Sequence, residues 1–153
     1  MANEKWLNAK SDELEVEFRI WGERGRSIRE SIEQQLDVRL GKEIANFIES
    51  VGNVSIGPFL IAVAGNDQGQ MSAVTETNSV RADCPELPTH FVKVMDHAGE
   101  SYFYDTDSDQ VHAFDSLNID PAMKTLSFDG FDKFLEWAFE EAKLQSEDSR
   151  FKF

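Results

Sequence analysis

HFVKVMDHAGESYFYDTDSDQVHAF, residues 90–114, reads as three short strands joined by two tight turns. Phe91, Val92, Val94 and Met95 form the first strand, and Asp96-His97-Ala98-Gly99 turns the chain. Ser101–Tyr104 form the second, Asp105–Asp109 turn the chain again, and Val111–Phe114 form the third. β-Branched and aromatic residues bounded by Gly and Asp are what a meander of antiparallel strands requires. The segments on either side read as its cover and its closure.

Upstream, residues 1–12 predict a short helical turn around Trp6 and Leu7. Leu14, Val16, Phe18 and Ile20 alternate with Glu15, Glu17 and Arg19, a period of two that predicts a half-buried strand. Ser27 and Glu30 have the spacing of a capping box, and Ile28, Ile32 and Leu36 put one apolar stripe on the helix that follows. Leu40-Gly41 interrupts it. Ile44, Phe47, Ile48 and Val51 define a second helix, with Gly52 placed to end it in the left-handed conformation. Val54–Ala64 is apolar apart from Ser55 and Gly57-Pro58, so Pro58 belongs at a strand start or an edge and Phe59–Val63 reads as the buried strand. Gly65–Gly69 is a turn, and Val74–Thr77 reads equally as a short strand or a helical turn.

Downstream of the meander, Lys124-Thr125-Leu126 reads as a last short strand and Ser127 as the N-cap of a closing helix. Phe128, Phe131, Leu135, Ala138 and Ala142 follow the helical period, and Phe134, Trp137 and Phe139 widen the apolar face. Residues 145–153 are polar and predicted to fray. The expected fold class is α+β: an antiparallel sheet of about five to six strands around a central meander, covered by N-terminal helices and closed by a C-terminal helix. The length of 153 residues suits a single domain, residues 1–153.

Charge is the strongest compositional fact. Asp and Glu number 29 against 15 Lys and Arg, a formal net charge of −14. Such a surface repels phosphate backbones and anionic lipid, so neither nucleic acid nor a membrane is an expected partner. It accelerates association with a basic partner, through steering that weakens with salt. Cys84 is the only cysteine, which excludes an intramolecular disulfide and fits a reducing compartment. No window reaches the ~20 apolar residues of a membrane span and the N-terminus lacks a signal-peptide core, so a cytoplasmic location is expected.

No catalytic signature is legible. Asp105, Asp107 and Asp109 imitate the start of a calcium-binding loop, but Gln110 stands where a Gly is needed and Ser116 where a bidentate Glu is needed. The cluster reads as an acidic hairpin turn. His90, His97 and His112 lie in or beside predicted strands without metal-ligand spacing, although two of them can meet across the meander. Cys84 has no His or oxyanion hole that the sequence can place, and neither a nucleophile elbow nor a phosphate-cradling loop is present. The expectation is a binding module rather than an enzyme, with no catalytic residue, metal or cofactor.

The order of segments from Ser27 resembles the SUKH superfamily of bacterial immunity proteins, which also includes a fungal regulator of cell-wall synthesis. Ile32–Leu40 resembles its first helix, and Phe47, Ile48 and Gly52 sit where the next helix carries such residues. Val74–Thr77, Pro85–Pro88 and Phe91–Val94 are similar to its middle, and Tyr102–Thr106 and Gln110–Phe114 to its Asp-Thr hairpin and following strand. Ser127–Phe131 with Phe134-Leu135 resembles the closing helix, so the likeness covers about residues 27–142. Gly41 stands in place of the usual Pro and Ile44 in place of an aromatic.

The resemblance implies a non-catalytic α+β protein that binds and silences a toxin, many such toxins being basic nucleases. A regulatory adaptor for an endogenous partner is the alternative it implies. The superfamily offers no shared binding residues, so the candidate partner surface rests on charge: Asp105, Asp107 and Asp109, with Asp83 and Glu86 on the preceding loop.

Overall fold

The computed structural model of the chain describes residues 1–64 and 72–148. The turn expected over 65–69 and the last part of the expected tail, residues 149–153, lie outside the described residues. The fold is α+β, with five helices and seven strands among the described residues, and the strands form two antiparallel sheets of three and four.

Helix α1 (Glu4–Leu14) starts where the Asn3 side chain accepts a hydrogen bond from the Trp6 N–H, 2.9 Å, and ends at Glu15 in the left-handed region. The expected helical turn is thus a full helix that takes in Leu14. The strand read from the alternation begins later, as β1 (Phe18–Trp21). Helix α2 (Arg26–Leu36) buries Ile32 and Leu36 of the expected stripe. Its N-cap is Gly25, not Ser27: the box does not form, and Glu30 instead meets Arg26 one turn away at 3.0 Å. Helix α3 (Lys42–Ser50) buries Ile44, Phe47 and Ile48, and Gly52 beyond it has a φ of +89°. Glu33 ties the elbow between these helices by pairing with Arg29 and accepting the Leu40 N–H at 3.0 Å.

Strands β2 (Asn53–Ile56) and β3 (Phe59–Ile61) form a hairpin whose two turn residues are Gly57 and Pro58. The sequence suggested one buried strand after Pro58; a second precedes it. Gly57, at φ +53°, supplies the left-handed first position that a two-residue turn needs. Helix α4 (Ala73–Asp83) resolves the open strand-or-helix reading, capped by the Ser72 side chain.

The meander forms as expected. Strands β4 (Phe91–His97), β5 (Glu100–Asp105) and β6 (Gln110–Asp115) pair antiparallel, and β7 (Leu126–Phe128) adds to β6. The first turn is Ala98-Gly99, both at positive φ, and the second is the loop 106–109. The Ala62 N–H donates to the Val94 carbonyl at 2.9 Å where the first sheet meets the second. Helix α5 (Phe131–Glu147) buries Phe131, Phe134, Leu135, Ala138, Phe139 and Ala142 at helical spacing, and runs into the region expected to fray. Ser127 lies in β7 and does not cap it. The Asp132 N–H instead donates to Glu43 Oε1 of α3 at 3.0 Å, so the cap comes from another helix.

The pleat divides the second sheet into two environments. Tyr102, Tyr104, Val111 and Ala113 face the main core, which draws on all five helices. Phe91, Phe103 and Phe114 join Leu87 in a smaller cluster on the back, partly covered by Val80, Cys84 and Ile119. Thr77 anchors α4 to this arrangement: its buried hydroxyl accepts the Lys93 N–H at 2.9 Å, where the β4–β5 register shifts between Lys93 and Met95. Thr77→Val keeps the shape and orphans that buried N–H. A loss of about 1–2 kcal/mol is expected in urea denaturation, with Thr77→Ser close to the parent in hydrogen-bonding but short of one methyl.

Candidate partner-binding surface

The five residues singled out by charge fall into two groups. Asp105, Asp107 and Asp109 surround the β5–β6 turn, while Asp83 ends α4 and Glu86 follows it in the loop before β4. On β5, Ser101 beside the second group and Asp105 in the first are four residues apart on the back face, about 13 Å of strand. Phe103, fully buried in the back cluster, lies in the interval.

The three turn aspartates are not equivalent. Asp105 still obeys the strand alternation and points to the back face, 9% exposed. Its Oδ1 accepts the Asp107 N–H at 3.0 Å and stands 3.4 Å from His90 Nε2, while its Oδ2 lies 3.6 Å from Nε2 of buried His112. Asp107 projects outward with a side chain 75% exposed, its Oδ2 3.4 Å from His90 Nδ1. Asp109 takes the left-handed conformation at φ +59° and accepts the Tyr104 hydroxyl. That hydroxyl accepts the Gly41 N–H in turn, at 3.1 Å, so the turn is fastened to the α2–α3 elbow. The Thr106 N–H and hydroxyl both donate to the His90 carbonyl, at 3.0 and 2.9 Å, fastening it to the start of β4. A turn held at both ends fixes the backbone from which the exposed Asp107 side chain projects.

These surroundings set the protonation states. Burial pushes the Tyr104 phenol well above its usual pKa, and the hydrogen bond to Asp109 pushes it further in the same direction, so it stays a donor. Burial lowers the pKa of His112, reinforced by the Lys124 charge, against an opposing pull from Asp105. His112 is therefore a neutral imidazole over most of the physiological range. Its Nδ1 lies 2.9 Å from the Ser127 hydroxyl.

Two clefts lie beside the acidic groups, one at the turn and one towards the other end of the second sheet. One of about 360 Å³ is lined by Tyr104, Asp109, Gln110 and Asp129 with Lys42 and Glu43. The other, about 530 Å³, lies on the back face, with Asp83, Glu86 and Asp96 on its wall beside Lys93, Ser101 and Ser116. In it Lys93 pairs with Asp96, and the Ser101 hydroxyl donates to Asp96 at 2.6 Å. Sequence charge pointed to Asp83 and Glu86 but not to Asp96, which looked like a turn residue. The sequence puts His90 and His112 in or beside strands, and their meeting at Asp105 follows from register: Phe91 pairs with Asp105, and Phe103 with both Lys93 and His112. Among the described residues no helix is long and apolar enough to cross a membrane. No family model matches the chain, and no curated protein matches it.

Proposed function

We propose that this chain is a non-catalytic binding module whose acidic surface captures a basic protein, and that the partner is a nuclease-like bacterial toxin which it neutralises in the cytoplasm. The observation that carries this reading is the net charge of −14 on 153 residues. A basic nucleic-acid cleft is the surface such a charge complements, and occupying it excludes the phosphate backbone. The resemblance of residues 27–142 to the SUKH superfamily supports the same reading, and the order of helix pair, meander and closing helix is compatible with it. The fastened turn adds a preorganised acidic point at Asp107, so little ordering is required on binding.

The test is co-expression with the product of the neighbouring gene. The expected result is a stable complex and rescue of cells from that product's toxicity. Association should slow steeply as salt rises, and Asp107→Lys combined with Glu86→Lys should slow it at least about tenfold while leaving the fold intact. Failure to rescue, together with recovery of a stable housekeeping partner, would overturn the toxin reading in favour of a regulatory adaptor.

A further inference from the structure

Asp105 stands between two imidazoles, and no feature of a plain hairpin turn requires that. We propose that His90, Asp105 and Asp107 form a binding site for a first-row divalent cation such as zinc, with His112 positioning Asp105 from behind. The proposal does not depend on the identity of any protein partner.

The donor atoms are already gathered. One ligand atom from each of His90, Asp105 and Asp107 lies within 4.8 Å of the others. His90 Nε2 and Asp105 Oδ1 are 3.4 Å apart, as are His90 Nδ1 and Asp107 Oδ2. Zinc bonds of 2.0–2.2 Å in a tetrahedron set neighbouring ligand atoms about 3.4 Å apart, so the first pair already spans one edge. A single imidazole nitrogen serves one ion, and Asp107 is the group free to swing towards Nε2, because its side chain is 75% exposed. One nitrogen and two carboxylate oxygens suit zinc, and the open side at Asp107 leaves the fourth position to water.

The second observation is independent of the acids. His112 has a side chain 1% exposed, and its Nε2 has no hydrogen-bond partner. Buried polar atoms are rarely left so, and Nε2 faces Asp105 Oδ2 at 3.6 Å, just beyond hydrogen-bond reach. Facing a carboxylate, Nε2 is the nitrogen on which the neutral ring would carry its proton, directed at the oxygen that the cation would leave unused, and Nδ1 would then accept from the Ser127 hydroxyl. A carboxylate that binds a metal through one oxygen and accepts a hydrogen bond on the other is the usual outer-shell arrangement. No ligand spacing marks such a site in the sequence, because His90 precedes β4, Asp105 ends β5 and Asp107 lies in the turn that follows. Bound there, the ion would tie the start of β4 to the turn after β5, beside the two bonds that Thr106 gives the His90 carbonyl.

Zinc(II) alone, titrated calorimetrically into chelator-stripped full-length protein, tests the site. One equivalent should bind, with a rise in thermal midpoint that a chelator reverses. Asp107→Asn and His90→Gln should each weaken binding at least about tenfold, and Glu140→Gln, an exposed acid on α5, should leave it unchanged. His112→Leu should weaken it about tenfold, and His112→Gln, whose amide N–H falls near the place of Nε2–H, should recover most of that loss. In the parent, zinc should perturb the ring resonances of His90 and His112 while those of His97 stay in place. Absence of binding overturns the proposal. So does binding of equal strength in Asp107→Asn and His90→Gln, which would place the ion elsewhere; Asp107→Asn alters an exposed side chain, so its result does not hinge on folding.

Discussion

Replacement of Phe134 by Ala is expected to destabilise the protein by about 3–5 kcal/mol, the largest effect of any single change considered. Phe134 is fully buried on α5. Its ring meets four others: Tyr102 at 5.7 Å, Phe128 at 5.6 Å, Phe131 at 5.8 Å and Trp137 at 6.1 Å between centroids. Two of these partners belong to other elements, Tyr102 to β5 and Phe128 to β7, while Phe131 and Trp137 share α5 with Phe134. Removing the ring leaves a cavity that no one element can collapse into, and the aromatic pairings are lost as well. Guanidinium denaturation should show a lower midpoint with an unchanged slope. Against a total of about 5–15 kcal/mol for a domain of ordinary stability, the variant would sit near the edge of folding. Phe134→Leu should recover more than half of the loss, and a variant within 1 kcal/mol of the parent would contradict this account of the core.

The second large effect is expected at Gly57→Ala, a loss of about 2–5 kcal/mol. Two causes add. A left-handed backbone costs a residue with a side chain about 1–2 kcal/mol, and Gly57 has φ +53°. The new Cβ would also lie 2.8 Å from the Ala142 Cβ on α5, too close for two carbons, and overpacking of this kind costs about 1–3 kcal/mol. The two causes separate in a double-mutant cycle. In an Ala142→Gly background the contact is gone, so Gly57→Ala should cost less there by at least about 1 kcal/mol. If the cost is the same in both backgrounds, the hairpin tip and α5 are not in the contact described.

What could be read from the sequence depended on how local each cause is. The meander was legible because its turns carry their own chemistry, Ala98-Gly99 and the Asp-rich loop, and because the closing helix repeats its apolar residues at the helical period. The β2–β3 hairpin was not, because Val54–Ala64 has too few polar residues to mark two strands, and Pro58 reads as the start or edge of one buried strand instead of part of a turn between two. Helix α4 gave no stripe because the residues it buries are Ala73 and Thr77, small or polar. The start of α5 was misplaced at Ser127 because its cap is Glu43, 89 residues earlier, which no local pattern can indicate. The same distinction holds at the turn. Counting Asp105, Asp107 and Asp109 as three equal charges ignored the pleat, which turns Asp105 inward to the histidines and leaves Asp107 in solvent.

The trans cap from Glu43 to α5 bears on how the chain is made. Emerging from the ribosome in order, both sheets and α1–α4 are complete before α5, so the apolar face that α5 covers waits bare for its partner. At 5–20 residues per second, the 17 residues of α5 take roughly 1–3 s to follow. Throughout that interval Phe47, Phe59 and Tyr102, all buried in the finished fold, lack the helix that shields them. Glu43 already waits beside them, a polar mark at the end of an oily groove, and α5 can seat its first turn there before the rest of the helix packs down. A chain truncated before residue 131 would on this account be a substrate for chaperones, and one released with α5 complete would not.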